Sequence, residues 1–313
     1  MNLKGYINFV ELPTKVASVI PFIMGIVYSI YRYGEINVVN LTIMFISMIT
    51  FDMATTAINN YCDYKNEINH QGENYQGKNP MHLHGISQKV GIYTISILLS
   101  IATIFGILLA FKTNILILCI GMICFFIGIF YTFGPIPISR MPLGELFSGI
   151  FMGLFIPFIT IYASIHDKEF FGIYIEGSMI LGKFNFIEGI VVLMVSTPLI
   201  CGIANIMLAN NICDLEEDIK VSRFTLPYYI TKDRAIKLYK YIYYFGYMVI
   251  LLSVIVKILP NSTLLTILSL HIIQKNIKMF KKNQIKSQTF ITSVKNFILL
   301  GISYIASIAI NLI

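Results

Sequence analysis

Apolar residues recur in runs near 14-33, 38-62, 90-111, 114-133, 145-164, 187-212, 239-258, 260-277 and 290-313, with short polar stretches between them. Crossing the hydrocarbon core of a bilayer takes an α-helix of about 20 residues, and the runs approach or reach that length. Lipid gives a backbone no hydrogen-bond partners, so runs of this kind are expected as helices that satisfy their own amides. The pattern predicts an all-α integral membrane protein of about nine transmembrane helices, organised as one domain over 1-313. The eighth run is the most interrupted, because Gln274, Lys275 and Lys278 crowd its end. The opening MNLKGYINFVELPTKVASVI has polar interruptions and no small-residue cleavage site, so the first span reads as retained.

Composition agrees with the pattern. The 313 residues are 56% hydrophobic and only 12% charged, against about a quarter charged in soluble domains. Too few polar groups are present to cover a water-facing surface, so the main solvent is lipid. The five cysteines, Cys62, Cys119, Cys124, Cys201 and Cys213, lie in or at the ends of apolar runs and form no CxxC pair. They read as buried thiols, without disulfides or structural zinc.

With nine spans, one face of the membrane carries only Arg32, Lys112, Lys168, Lys183 and Lys257 of the 23 basic residues. The rest fall on the face that holds the N-terminus, including Lys220, Arg223, Lys232, Arg234, Lys237, Lys240 and the run Lys275 to Lys286. The positive-inside rule makes that face cytoplasmic. The net charge of +7 then needs no nucleic-acid partner, since orientation and anionic lipid account for it.

An internal repeat lies at the ends of the second and sixth runs. Asn59-Asn60-Tyr61-Cys62-Asp63 matches Asn210-Asn211-Ile212-Cys213-Asp214, and each copy is followed four residues later by a second carboxylate, Glu67 or Asp218. Residues four apart share a helix face about 6 Å apart, so Asn59, Asp63 and Glu67 form one polar ladder and Asn210, Asp214 and Asp218 another. Four spans separate the copies, which makes the repeat parallel and puts both on the cytoplasmic side. Single acids at a helix end commonly just meet water. Two matched sets at membrane depth point instead to function. Paired carboxylates suit Mg²⁺, a hard cation that binds through one or two carboxylates and substrate phosphates.

At these residues the sequence resembles the UbiA superfamily of intramembrane prenyltransferases, marked by two aspartate-rich motifs after the second and sixth helices. The resemblance runs the length of the chain, from LPTKVASVIPFIMGI at 12-26 onward. FYTFGPIPISRMPLGELFSGIFMG at 130-153 and ANNICDLEEDIKVSRFTLP at 209-227 look like the 1,4-dihydroxy-2-naphthoate polyprenyltransferase branch. Three features depart from that branch. Ser222 stands where a glycine is usual, Asn60 where Asp is common, and the 68-89 loop offers Lys78, His82 and His84 in place of arginine.

The resemblance implies helices bundled around a central cavity that opens to the cytoplasm, with the prenyl tail in a lipid-facing tunnel. It implies transfer of a polyprenyl group from a diphosphate to an aromatic acceptor, with Mg²⁺ as cofactor, membrane lipid as surroundings and no protein partner. Asp63, Glu67, Asp214 and Asp218 become the expected metal ligands. Asn59, Asn60, Asn210 and Asn211 are expected to complete the shells or bond the diphosphate, and Lys78, Arg140 and Arg223 to pair with its oxygens. Tyr131 is expected either to meet diphosphate or acceptor or to anchor an interface, while Gly134, Pro135 and Pro137 shape the turn after it. Asp52, deep in the second run, needs a partner, either an acceptor hydroxyl or a neighbouring helix. Lys15 faces headgroups or an acidic substrate group, and His271 reads as a packed or interfacial residue. The rival from another class is an ion or solute transporter, whose acids would be scattered through several mid-spans. Another acceptor, such as 4-hydroxybenzoate, is the rival within the superfamily.

Overall fold

Asparagine, serine and proline side chains punctuate the chain, and the apolar runs between them are helices. The computed structural model describes residues 1-70, 79-134 and 137-312, with the backbone alone at 66-70. In chain order the helices are α1 (Leu3–Phe9), α2 (Val16–Tyr33), α3 (Val38–His70), α4 (Pro80–Leu83), α5 (Gln88–Lys112), α6 (Ile115–Phe130), α7 (Gly144–Ile150) and α8 (Ile156–Ile165). A hairpin, β1 (Phe171–Glu176) and β2 (Met179–Phe184), precedes α9 (Phe186–Lys220), α10 (Leu226–Ile230), α11 (Lys232–Ile255), α12 (Ser269–Lys282) and α13 (Phe290–Ala309). Several starts follow from capping, in which a side-chain oxygen takes an otherwise orphaned amide. Asn114 caps α6 through the Leu116 amide at 2.9 Å, and Asn185 caps α9 through that of Glu188 at 3.1 Å.

Seven helices of the described residues are long and apolar enough to cross a membrane: Leu12–Tyr33, Val38–Lys65, Gln88–Lys112, Gly144–Lys168, Phe186–Lys220, Lys232–Ile255 and Phe290–Leu312. They match seven of the nine expected runs. The fourth run is a shorter apolar helix of 16 residues, α6. The eighth is split into a 3-10 segment, Asn261–Leu268, and α12. Pro260 and the polar Asn261-Ser262-Thr263 open the 3-10 segment, and α12 is amphipathic, burying Ile273, Ile277 and Phe280 while Lys275, Lys278, Lys281 and Lys282 stay exposed. The hairpin was not expected. Its strands pair antiparallel from Phe171 with Phe184 to Glu176 with Met179, and Gly177 turns the chain with φ +62°.

The chain divides into two compact units, 1-16 with 39-137 and 17-38 with 138-313. The first is cored by Phe9, Val10, Ala54, Ala57, Met81, Ile86 and Leu98. Within it Ser47 Oγ donates to the Ala102 carbonyl at 2.8 Å and ties α3 to α5. Buried Lys15 gives Asp52 a partner: its Nζ donates to Asp52 Oδ1 at 2.8 Å, to the Asp52 carbonyl at 3.0 Å and to Thr56 Oγ1 at 2.6 Å.

The second unit is built around α9, against which α7, α11 and α13 pack. Gly153 lies in a π-helical turn, Phe151–Phe155, that links α7 to α8. A Cβ there would stand 2.6 Å from the Ile200 backbone, so glycine is what lets this turn touch α9. Directional bonds fix the register of the remaining helices. Asn205 Nδ2 donates to the Tyr239 carbonyl at 3.0 Å and Tyr304 Oη to the Val195 carbonyl at 3.1 Å.

Candidate active site

Both repeated motifs lie on unbroken helix. The first occupies the end of α3 and the second the end of α9, so the spacing of four does place each pair of acids on one helical face. In the first motif Asp63 is exposed and accepts from Asn59 Nδ2 at 3.4 Å. Asn59 Oδ1 in turn accepts from Thr132 Oγ1 at 3.3 Å, which joins the motif to the turn after α6. Half-buried Tyr131 is the first residue of that turn. Glu67 is on α3, its side chain outside the described set, and Lys78 and Pro135 lie outside the described residues altogether.

Asn60 has a different duty from Asn59. Its Nδ2 donates to the Phe9 carbonyl at 3.0 Å and more weakly to Glu11 Oε1 at 3.4 Å, while its own carbonyl accepts from Asn79 Nδ2 at 3.0 Å. The side-chain NH₂ of Asn60 thus holds the N-terminal segment against α3, and its backbone carbonyl ties in Asn79 at the start of α4. His82 and His84 are likewise engaged, His82 against the Tyr64 ring at 4.5 Å between centroids and His84 Nε2 with Asn8 Nδ2 at 2.8 Å.

The second motif is more deeply set. Asn211, Asp214 and Asp218 are all buried, and Asn210 is half-buried. Asp214 forms an ion pair with Lys286. Asp218 has its Oδ1 3.5 Å from Arg223 Nη1, whereas its Oδ2 is shut from water and has no hydrogen-bond partner among the described residues.

The turn that brings Arg223 back shows why a glycine would suit the position of Ser222. The amide of Ser222 bonds to the carbonyl of Ile219 at 3.1 Å and that of Arg223 to the carbonyl of Asp218 at 2.8 Å. This is the paired closure of a Schellman motif, which puts its first residue past the cap in the left-handed region. Ser222 has φ +55°, a conformation that glycine adopts without strain. The Arg223 side chain then spans outward, Nε donating to the Ser139 carbonyl at 3.1 Å. Ser139 neighbours half-buried Arg140 in the 3-10 turn Ile138–Arg140, so three expected site residues, Arg140, Arg223 and Asp218, belong to one linked set.

One acidic residue was missed in the sequence. Glu145 opens α7, is 6% exposed, and accepts from Asn211 Nδ2 at Oε1 over 2.9 Å. A lone carboxylate inside an apolar run was the available signal. Among the described residues no three His, Cys, Asp or Glu side chains gather to hold one metal ion. The second motif nevertheless fits a hard cation. It has an oxygen-only donor set, Asp218 Oδ2 and Asn211 Oδ1 are buried acceptors without donors, and such atoms are costly unless a positive group meets them.

The chain resembles several known proteins. The model of the UbiA prenyltransferase family matches residues 18–294. A 1,4-dihydroxy-2-naphthoate octaprenyltransferase of Bacillus subtilis (strain 168) is 28% identical over 225 residues, which cover 72% of this chain and 65% of that relative, a little under two thirds of its length. The fold superimposes on the apo structure of a UbiA homologue from Aeropyrum pernix K1 with a TM-score of 0.68 at 17% identity, covering 95% of this chain and 98% of the other. A UbiA homologue from Archaeoglobus fulgidus, bound to DMAPP and Mg²⁺, gives 0.60 at 12% identity over 97% and 99% of the two chains. With its apolar helices and a family match over most of its length, this multi-pass membrane protein belongs to the UbiA prenyltransferase family.

Proposed function

We propose that the chain transfers a polyprenyl group from a polyprenyl diphosphate to 1,4-dihydroxy-2-naphthoate, the step that yields the quinol form of demethylmenaquinone. The observation that carries the reading is the second motif: two buried carboxylates one turn apart, with Arg223 and Lys286 as counter-charges and one carboxylate oxygen left without a donor. An acidic cradle edged by cations suits an anion that arrives together with a divalent metal. The acceptor assignment rests on the likeness to the Bacillus subtilis relative and on the 130-153 and 209-227 stretches.

Each motif supplies ligands, Asp63 and Glu67 from the first and Asp214 and Asp218 from the second, with Asn59 and Asn210 beside them. Bound Mg²⁺ would neutralise the charge that develops on the departing diphosphate. Arg223 is held at the motif by its Schellman turn and pairs with a diphosphate oxygen, and Arg140 and Lys78 are the further basic candidates. Tyr131 directs its hydroxyl to diphosphate or acceptor. As the C–O bond breaks, the diphosphate leaves with the bonding electrons and the ring carbon that bears the carboxylate attacks the allylic carbon. Loss of the ring carboxylate as CO₂ then restores aromaticity. The basic loops put the N-terminus and both motifs on the cytoplasmic side of the cell membrane.

The test incubates membranes holding the protein with labelled polyprenyl diphosphate, Mg²⁺ and 1,4-dihydroxy-2-naphthoate, and compares Asp63→Ala and Asp214→Ala with the wild type. A Mg²⁺-dependent prenylated naphthoquinol lost in both variants supports the reading. Prenylation of 4-hydroxybenzoate alone would overturn the acceptor and keep the chemistry. No product from any ring, with the protein intact, would overturn the transferase reading in favour of transport.

A further inference from the structure

Glu145 and Asn211 form a pair that packing alone does not explain. Both are more than nine-tenths buried, one on α7 and one on α9, and a single hydrogen bond of 2.9 Å joins them. Among the described residues Glu145 Oε2 and Asn211 Oδ1 are left shut from water with no partner, as is Asp218 Oδ2 seven residues further along α9. An interhelical staple satisfies both of its members, whereas this one leaves two acceptors unmatched. Burying unmatched acceptors costs more than one such bond returns.

The direction of the Asn211 carboxamide follows from chemistry. The NH₂ of Asn211 faces Glu145 Oε1, so the carbonyl oxygen of the same planar carboxamide points away from Glu145. Positions 211, 214 and 218 recur at intervals of three and four, which sets them along one stripe of α9. Asn211 Oδ1 is thereby fixed on the face that carries the two aspartates.

We propose that Glu145 is a positioning residue of the second motif: it holds Asn211 by its amide group so that Oδ1 is presented, with Asp214 and Asp218, as an oxygen donor to a divalent cation. The proposal rests on the metal-dependent reading above and adds to it a residue outside both motifs. Partners of this kind orient ligands without touching the metal.

Mn²⁺ binding, followed by electron paramagnetic resonance on protein in lipid nanodiscs with inorganic diphosphate present, tests this without turnover. Glu145→Leu and Asn211→Ala should each weaken Mn²⁺ binding about tenfold, the usual scale for a lost outer partner. The double variant should be no weaker than either single one. Glu145→Gln should bind as wild type, because its amide oxygen still accepts from Asn211 Nδ2. Unchanged Mn²⁺ affinity in Glu145→Leu with a lowered unfolding temperature would overturn the proposal and leave a helix staple. Should Glu145→Leu fail to fold, wild-type affinity in Asn211→Ala overturns it equally. Absence of Mn²⁺ binding by the wild type would overturn the metal reading itself, which separates that failure from this one.

Discussion

The amide of Arg223 closes on the carbonyl of Asp218 at 2.8 Å, and the same turn carries the Arg223 guanidinium to 3.5 Å from the Asp218 carboxylate. Helix termination and charge placement are thus one device. Arg223→Ala should raise the KM for polyprenyl diphosphate about tenfold, since a charge-assisted bond is worth roughly 1.5–3 kcal/mol, and leave the acceptor KM unchanged. Arg223→Lys should not restore it, because one ammonium cannot both bond the Ser139 carbonyl and reach Asp218. Steady-state kinetics with each substrate varied in turn decides this.

Ser222 sits at φ +55° in that turn. A left-handed conformation costs an L-residue roughly 1–2 kcal/mol, so Ser222→Gly should stabilise the protein by about 1 kcal/mol and leave activity intact. Ser222→Val, β-branched and ill-suited to positive φ, should destabilise it and loosen Arg223 with it. Thermal unfolding in detergent, read beside activity, gives both signs.

The Lys15–Asp52 pair makes a prediction about structure against catalysis. Lys15 is 5% and Asp52 16% exposed at the side chain, and breaking a buried pair from one side costs about 3–5 kcal/mol. Asp52→Leu and Lys15→Met should each lower stability by this order, while the double variant regains most of it. Prenyl transfer by the refolded-stable double variant would place Asp52 among structural residues; lost kcat at normal stability would give it a role with the acceptor.

The elements that were legible in the sequence are those set by one-dimensional signals. Long apolar runs gave seven spans, and the repeated Asn-Asn-x-Cys-Asp located the ends of α3 and α9. What stayed hidden depends on partners. The hairpin at 171-184 has strands of six residues, too short for alternation to distinguish from a loop. The division of labour between Asn59 and Asn60 is invisible until α1 and α4 pack on α3, because adjacent residues of a helix face different neighbours. Glu145 was passed over within an apolar run, although an acid there is itself a signal. The serine at 222 became intelligible only with its backbone angle.

Lys286 supplies the last prediction. Its ammonium pairs with Asp214, and its side chain is 56% exposed. If Asp214 ligates a cation in the working enzyme, Lys286 competes for the same oxygens, and each metal ion that binds must displace it. An exposed pair contributes up to about 1 kcal/mol, equivalent to roughly fivefold in an equilibrium constant. Lys286→Ala should therefore lower the half-saturating Mg²⁺ concentration by about two- to fivefold. The gap should narrow as salt rises, because screening weakens the competitor already present in the wild type. A Mg²⁺ titration of prenyl transfer at low and high ionic strength reads both effects. A half-saturation point unmoved by the substitution at either salt would mean that Lys286 does not compete with the metal for Asp214.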